Sequence, residues 1–197
     1  MLAYLVLVLA VLSRLVPSFF HATTWSYGAW NFTAVGGGLL FFGSRMQSPS
    51  ASAGRTGLKL ASAVAALMAT DLYLTVFAYR YPFHPRAYIV TWVWYALVCL
   101  LGMEILRKPT ILRIAASVLA SATSFFLLSN FVVWAGGRLY PHTLAGLGAC
   151  YVAAIPFYRN DLISTAITAG ALFGLPVLAA KIAETVQSAH NDNLPIA

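Results

Sequence analysis

Asp71 is the residue in this chain with the most to explain. It sits within an apolar run, about Leu60 to Tyr79, and is the only carboxylate well inside it. An acid in that setting is costly unless it is paired or faces a wet cavity. Three chemistries fit. It could hold a cationic or N–H-bearing group of a ligand, form a structural ion pair, or stay neutral and hydrogen-bonded near an interface. Asn130 lies at the end of a later run, where its amide can bridge helices or grip a ligand. The segments between runs add His21, Trp25, Tyr27, Trp30 and Asn31, then Tyr79, Tyr81, His84 and Arg86, then Trp134, Arg138, Tyr140, His142, Tyr158, Arg159, Asn160 and Asp161. Aromatic walls with a few hydrogen-bonding groups describe a small-molecule cavity. The plainer reading is an interfacial aromatic belt that fixes helix depth.

The pocket reading takes Asn31, Asp71, Tyr73, Trp92, Asn130, Trp134, Tyr140, His142 and Asn160. Asp71 would meet a cationic or N–H group, the aromatic residues would stack on a ring, and the amides would set orientation. No catalytic residues stand out. There is no phosphate-cradling loop, no HExxH and no GxSxG, so the expectation is a protein that is not an enzyme. His21, His84 and His142 fall in three separate loops without metal-ligand spacing, so no metal site is expected. Cys99 and Cys150 sit in apolar surroundings and read as small buried hydrophobes. Glu104 is placed to pair with Arg107 or Lys108 along one helix face. No cofactor can be named from the residues.

The elements carrying these groups are apolar throughout. The chain has 197 residues, 60% of them hydrophobic and 9% charged. A soluble domain would carry roughly 25% charge. The runs are about Leu2 to Val16, Asn31 to Gly43, Leu60 to Tyr79, Ala87 to Leu106, Ile111 to Ala135 and Leu162 to Ala183. They are continuously apolar rather than alternating, which predicts helices and not a barrel. The expected fold is an all-α integral membrane bundle of about six transmembrane helices. Leu144 to Ile155 adds a short extra helix, closed by Pro156, that either crosses or is re-entrant. Residues 1–186 form one transmembrane domain and 187–197 a polar tail. Arg45 to Lys59 reads as a flexible basic linker. Gly36, Gly37 and Gly38 mean close backbone approach or an unwound stretch. Ala61, Ala65 and Ala69, and Ala166, Gly170 and Gly174, recur at the spacing used for close helix contact.

The formal charge of +7 comes from twelve Lys and Arg against five Asp and Glu. The basic residues lie between apolar runs, so topology explains them better than nucleic-acid binding does. With six crossings, Arg45, Arg55, Lys59, Arg107, Lys108, Arg113 and Lys181 share one side. The positive-inside rule makes that side cytoplasmic, with both termini, in the inner membrane.

Three blocks carry a resemblance: NFTAVGGGLLFFG (Asn31 to Gly43), SFFLLSNFVVW (Ser124 to Trp134) and YPHTLAGLGACYVAAIPFYRN (Tyr140 to Asn160). In this order they resemble a family of small bacterial integral membrane proteins similar to the substrate-binding S-components of energy-coupling-factor vitamin transporters. The resemblance implies six helices and an outward-facing pocket under the first, third and fifth loops. It implies capture of a vitamin- or nucleobase-like compound, with an ATP-driven coupling module as partner. Two departures stand against it. Ala3 and Ala10 are too far apart for the Ala-x-x-x-Ala pattern that docks the coupling subunit, and the first loop is long. A solitary transporter remains open, as does a different role: an accessory structural subunit of a larger membrane complex, packing on partner helices.

Overall fold

The computed structural model describes residues 1–16, 32–47 and 52–192; beyond residue 176 it includes the side chains of Ile182, Ala183 and Gln187 only. Among the described residues every regular element is helical: α1 (Leu2–Ser13), α2 (Val35–Ser44), α3 (Ala53–Tyr73), α4 (Pro85–Ile105), α5 (Ile111–Gly136) and α6 (Leu144–Asp192). A π-helical turn, Leu74–Ala78, extends α3. Three segments are long and apolar enough to cross a membrane: Ala53–Ala78, Pro85–Ile105 and Ile111–Gly136. Helices α1 and α2 are apolar but shorter. The all-helical class and the membrane character agree with the sequence pattern.

Local chemistry sets the ends. Ser52 caps α3 by accepting from the Arg55 amide, and Thr110 caps α5 by accepting from the Arg113 amide. Pro85 occupies the first turn of α4, where its missing N–H has no helical partner to lose. The cap at Ser52 corrects the expected linker: 53–59 is helical. Lys59 Nζ reaches back to the Met46 carbonyl at 2.9 Å, tying the start of α3 to the end of α2.

A second correction concerns the segment 144–155. It is not a separate helix but the first part of α6, which runs on through Pro156. A proline removes one backbone donor and crowds the preceding turn, at about 3 kcal/mol in a soluble helix. Breaking the helix in an apolar bundle would strand several backbone groups instead of one. Continuity therefore costs less than a break. At about 1.5 Å per residue α6 is roughly 73 Å long, more than twice the roughly 30 Å hydrocarbon layer. The helix also continues past residue 187, where a polar tail was expected to begin.

The core is built around α2. Every residue from Val35 to Gly43 is buried, with Leu39 and Leu40 at 0% exposure. The helix packs most extensively on α4, then on α6 and α1. Its glycines make that possible. Gly36 and Gly37 face Thr165, Thr168 and Ala169 of α6, while Gly38 faces Ala10 of α1. Gly43 lies against the Cys99 backbone, and reciprocally Gly102 of α4 lies against the Leu40 backbone. The triplet is thus helical and in close approach, not unwound. The two expected small-residue stripes do not serve here. Ala61, Ala65, Ala69, Ala166 and Gly170 are exposed, and Gly170 and Gly174 have open space where a side chain would go. The buried face of α3 is instead Ala63, Leu67, Thr70 and Asp71, one 3.6-period stripe.

A methyl group at position 43 or 102 would meet backbone, which cannot rotate aside. Gly43→Ala and Gly102→Ala are each expected to destabilise by about 1–3 kcal/mol. Gly57→Ala, in open space on α3, is expected to stabilise by up to about 1 kcal/mol. Thermal unfolding followed by circular dichroism in detergent measures all three, and an unchanged midpoint in Gly43→Ala contradicts the contact.

Candidate functional site

The helix α1 delivers Arg14 at its last turn. Ser13 Oγ accepts the Ala34 amide at 2.9 Å and fixes that turn beside the start of α2. Arg14 Nη2 pairs with Asp71 Oδ1 at 2.5 Å. Its Nη1 donates to Thr70 Oγ1 at 2.6 Å and to the Leu67 carbonyl at 3.3 Å. From α4, Trp92 Nε1 donates to Asp71 Oδ2 at 3.0 Å. Tyr95 Oη lies 3.4 and 3.5 Å from the two carboxylate oxygens. The guanidinium also sits 5.9 Å from the Tyr95 ring centroid. Asp71 is 3% exposed. One arginine and two aromatic donors therefore surround it, and its charge is met by Arg14 rather than left for a ligand.

The π turn lies directly above this cluster. Thr75 Oγ donates to the Asp71 carbonyl at 2.7 Å and shares a 2.6 Å hydrogen bond with Tyr88 Oη. Phe83, Tyr88 and Trp92 stack in sequence over the top. Arg80 then reverses the chain with φ of 58°, in the left-handed region. Such backbone irregularity is common beside functional sites.

Two cavities lie nearby; Arg14 is in the wall of the first, and neither Arg14 nor Asp71 lines the second. One, of about 100 Å³, is lined by Arg14, Thr33, Val35, Gly36, Trp94, Tyr95, Phe125 and Asp161. The other, of about 230 Å³, lies between α5 and α6 and is lined by Phe125, Phe126, Ser129, Asn130, Ala154, Phe157, Tyr158 and Asp161. Phe125 and Asp161 belong to both. Asp161 is 8% exposed. Hydrogen bonds of Thr123 to Tyr158 and of Tyr151 to the Leu127 carbonyl set the antiparallel register of α5 and α6. That register puts Ser121 and Ser117 at about the levels of Asp161 and Thr165. Ser117, Ser121 and Thr165 are buried, and their hydroxyls have no hydrogen-bond partner among the described residues. A band of polar capacity thus crosses an otherwise apolar seam.

The sequence-predicted residues do not converge on one pocket. Asp71 and Trp92 meet directly. Asn130 lines the larger cavity, its amide donating to the Phe126 carbonyl at 2.7 Å. Trp134 Nε1 donates to the Pro141 carbonyl at 2.9 Å and meets His142 edge-on at 5.6 Å, in the turn between α5 and α6. Tyr140 is half-buried in the same turn, and Asn160 is half-buried on α6 beside Asp161. Tyr73 is exposed and stacks on Phe77. Two residues past Asp71 is roughly 200° around the helix, so the two side chains cannot share a pocket. Asn31 lies outside the described residues. Sequence reasoning missed Arg14, Trp94 and Tyr95 as site residues, and it gathered Asp161 with the polar groups between runs without placing it in the pocket. The usable signal was charge: an arginine and an aspartate in apolar runs are each other's natural partners.

Removing one partner of a buried pair leaves an uncompensated charge. Arg14→Leu and Asp71→Leu are each expected to cost about 3–5 kcal/mol, and the double replacement less than the sum. A double-mutant cycle on detergent-solubilised protein measures this. Strict additivity contradicts the pairing.

A comparison with curated proteins and with solved structures found no significant match. A family model matches residues 1–188, nearly the whole chain. The chain belongs to that family, DUF6580, a family of unknown function.

Proposed function

We propose that this chain is a multi-pass inner-membrane protein that binds a small organic solute for uptake, in the manner of a transporter S-component and without catalysis. The observation that carries the reading is the small cavity walled in part by Arg14 and Asp161, with a second cavity between α5 and α6 that shares Asp161. Membrane bundles avoid ionisable groups unless these line a path or a site. Here Arg14, Tyr95 and Asp161 border empty space with aromatic walls from Trp94 and Phe125, and Asp71 stands behind Arg14. That composition, mostly apolar with a few convergent polar groups, is what small-molecule sites present.

The solute enters from the end of the bundle that holds Arg14 and Asp71. The opposite end carries Arg45 and Lys59, which line one surface pocket with Met1, and Arg107 beside Glu104. The positive-inside rule assigns that basic end to the cytoplasm, with both termini. In this reading Asp71 positions Arg14 and Tyr95 toward the smaller cavity, and Trp92 and Asn130 serve as site residues. Energy for uptake comes from a separate partner, such as an ATP-driven module.

Protein extracted in mild detergent is expected to carry a small organic molecule at about one per chain in native mass spectrometry. Ala154→Trp fills the larger cavity and is expected to lose that molecule while keeping its helicity. A wild-type protein that carries none, or a filled variant that keeps it, contradicts the reading.

A further inference from the structure

We infer that Asp161 is the ligand-recognition carboxylate of the α5–α6 cavity, and that the ligand is a flat aromatic ring bearing a protonated amidine or amine. This deepens the proposed function and rests on it. Two carboxylates border the cavities' neighbourhood, and they differ in what they hold. Asp71 is saturated by Arg14, Trp92 and Tyr95. Asp161 is more than nine-tenths buried, lines both cavities, and its carboxylate has no hydrogen-bond or ion-pair partner among the described residues. The Ser164 hydroxyl donates to the Asp161 backbone carbonyl at 3.1 Å, which leaves the carboxylate itself uninvolved. Arg14 lines the smaller cavity with it, yet points its Nη atoms at Asp71, Thr70 and Leu67. A buried carboxylate left in this state is expensive until a cation or strong N–H donor arrives.

The rest of the cavity defines the remainder of the ligand. Phe126, Phe157, Tyr158 and Phe125 supply flat apolar walls, which suit a planar ring. Phe126 already packs on Tyr158 at 4.9 Å between centroids. An apolar cavity of roughly 150 Å³ is enough for benzene, so about 230 Å³ takes a ring with a substituent or a small bicycle. An amidinium presents two parallel N–H donors, which match both oxygens of Asp161. Asn130, whose amide N–H is already spent on the Phe126 carbonyl, offers its oxygen to a further N–H on the ring.

Benzamidine and benzamide test this as probes. They share shape, and only the first is cationic. Binding to wild-type protein in nanodiscs, followed by isothermal titration calorimetry, is expected to favour benzamidine at least tenfold. Asp161→Asn is expected to abolish that preference while retaining the circular dichroism of the wild type. Equal affinity of the wild type for both probes overturns the inference, as does a preference that survives in Asp161→Asn. If that variant does not fold, the wild-type comparison decides alone. Binding of neither probe also overturns it. The solute-binding reading is judged separately, by the retained molecule in native mass spectrometry and its loss in Ala154→Trp.

Discussion

An ion pair buried among apolar helices constrains everything around it. Neither Arg14 nor Asp71 can face lipid or empty apolar space at acceptable cost, so the helices that carry them must meet. The pair joins the end of α1 to the C-terminal part of α3. Trp92 and Tyr95 extend the junction to α4. Residues 14, 71, 92 and 95 are far apart in sequence, and their convergence fixes three helices with respect to one another. It also occupies Asp71, which leaves Asp161 as the carboxylate with capacity to spare.

The second constraint is steric. A ten-residue helix reaches only about 15 Å, yet α2 lies at the centre of the bundle. It makes up for its length by contact on every side. Glycines on α2 and α4 let backbones touch, and the side chains of Leu39, Leu40, Phe41 and Phe42 are fully buried around those contacts. Among the described residues the middle of α2 is closely packed, while cavities adjoin its start at Val35 and Gly36 and lie between α5 and α6, with Asp161 in the wall of both. Close packing around the middle of α2 and open space between α5 and α6 divide the bundle into a filled part and a part with room to spare.

Much of the helical plan was legible in the residues. Continuous apolar runs placed the ends of α1, α2, α4 and α5 within about four positions, because backbone groups in an apolar medium have few other ways to be satisfied, but they missed the early start of α3 and the length of α6. The importance of Asp71 was legible for the same reason. Its partner was not, since Arg14 reads locally as a snorkelling residue at a helix end, and 57 positions separate it from Asp71. Asp161 was hidden by Pro156, which normally signals a helix end. Once the helix is read as continuing, the stretch FYRND becomes the middle of α6 and its aspartate an interior group. Tyr73 failed for a geometric reason, the half-turn between it and Asp71. The small-residue stripes failed because spacing alone does not say which face of a helix is covered.

The most direct test of this account is an experimental structure of the protein in a lipid nanodisc with its co-purified solute. The account predicts density for a small molecule between α5 and α6, in contact with the Asp161 carboxylate, with Arg14 and Asp71 still paired beside it. Side chains filling that space, or Asp71 released from Arg14 and holding the molecule itself, would contradict it.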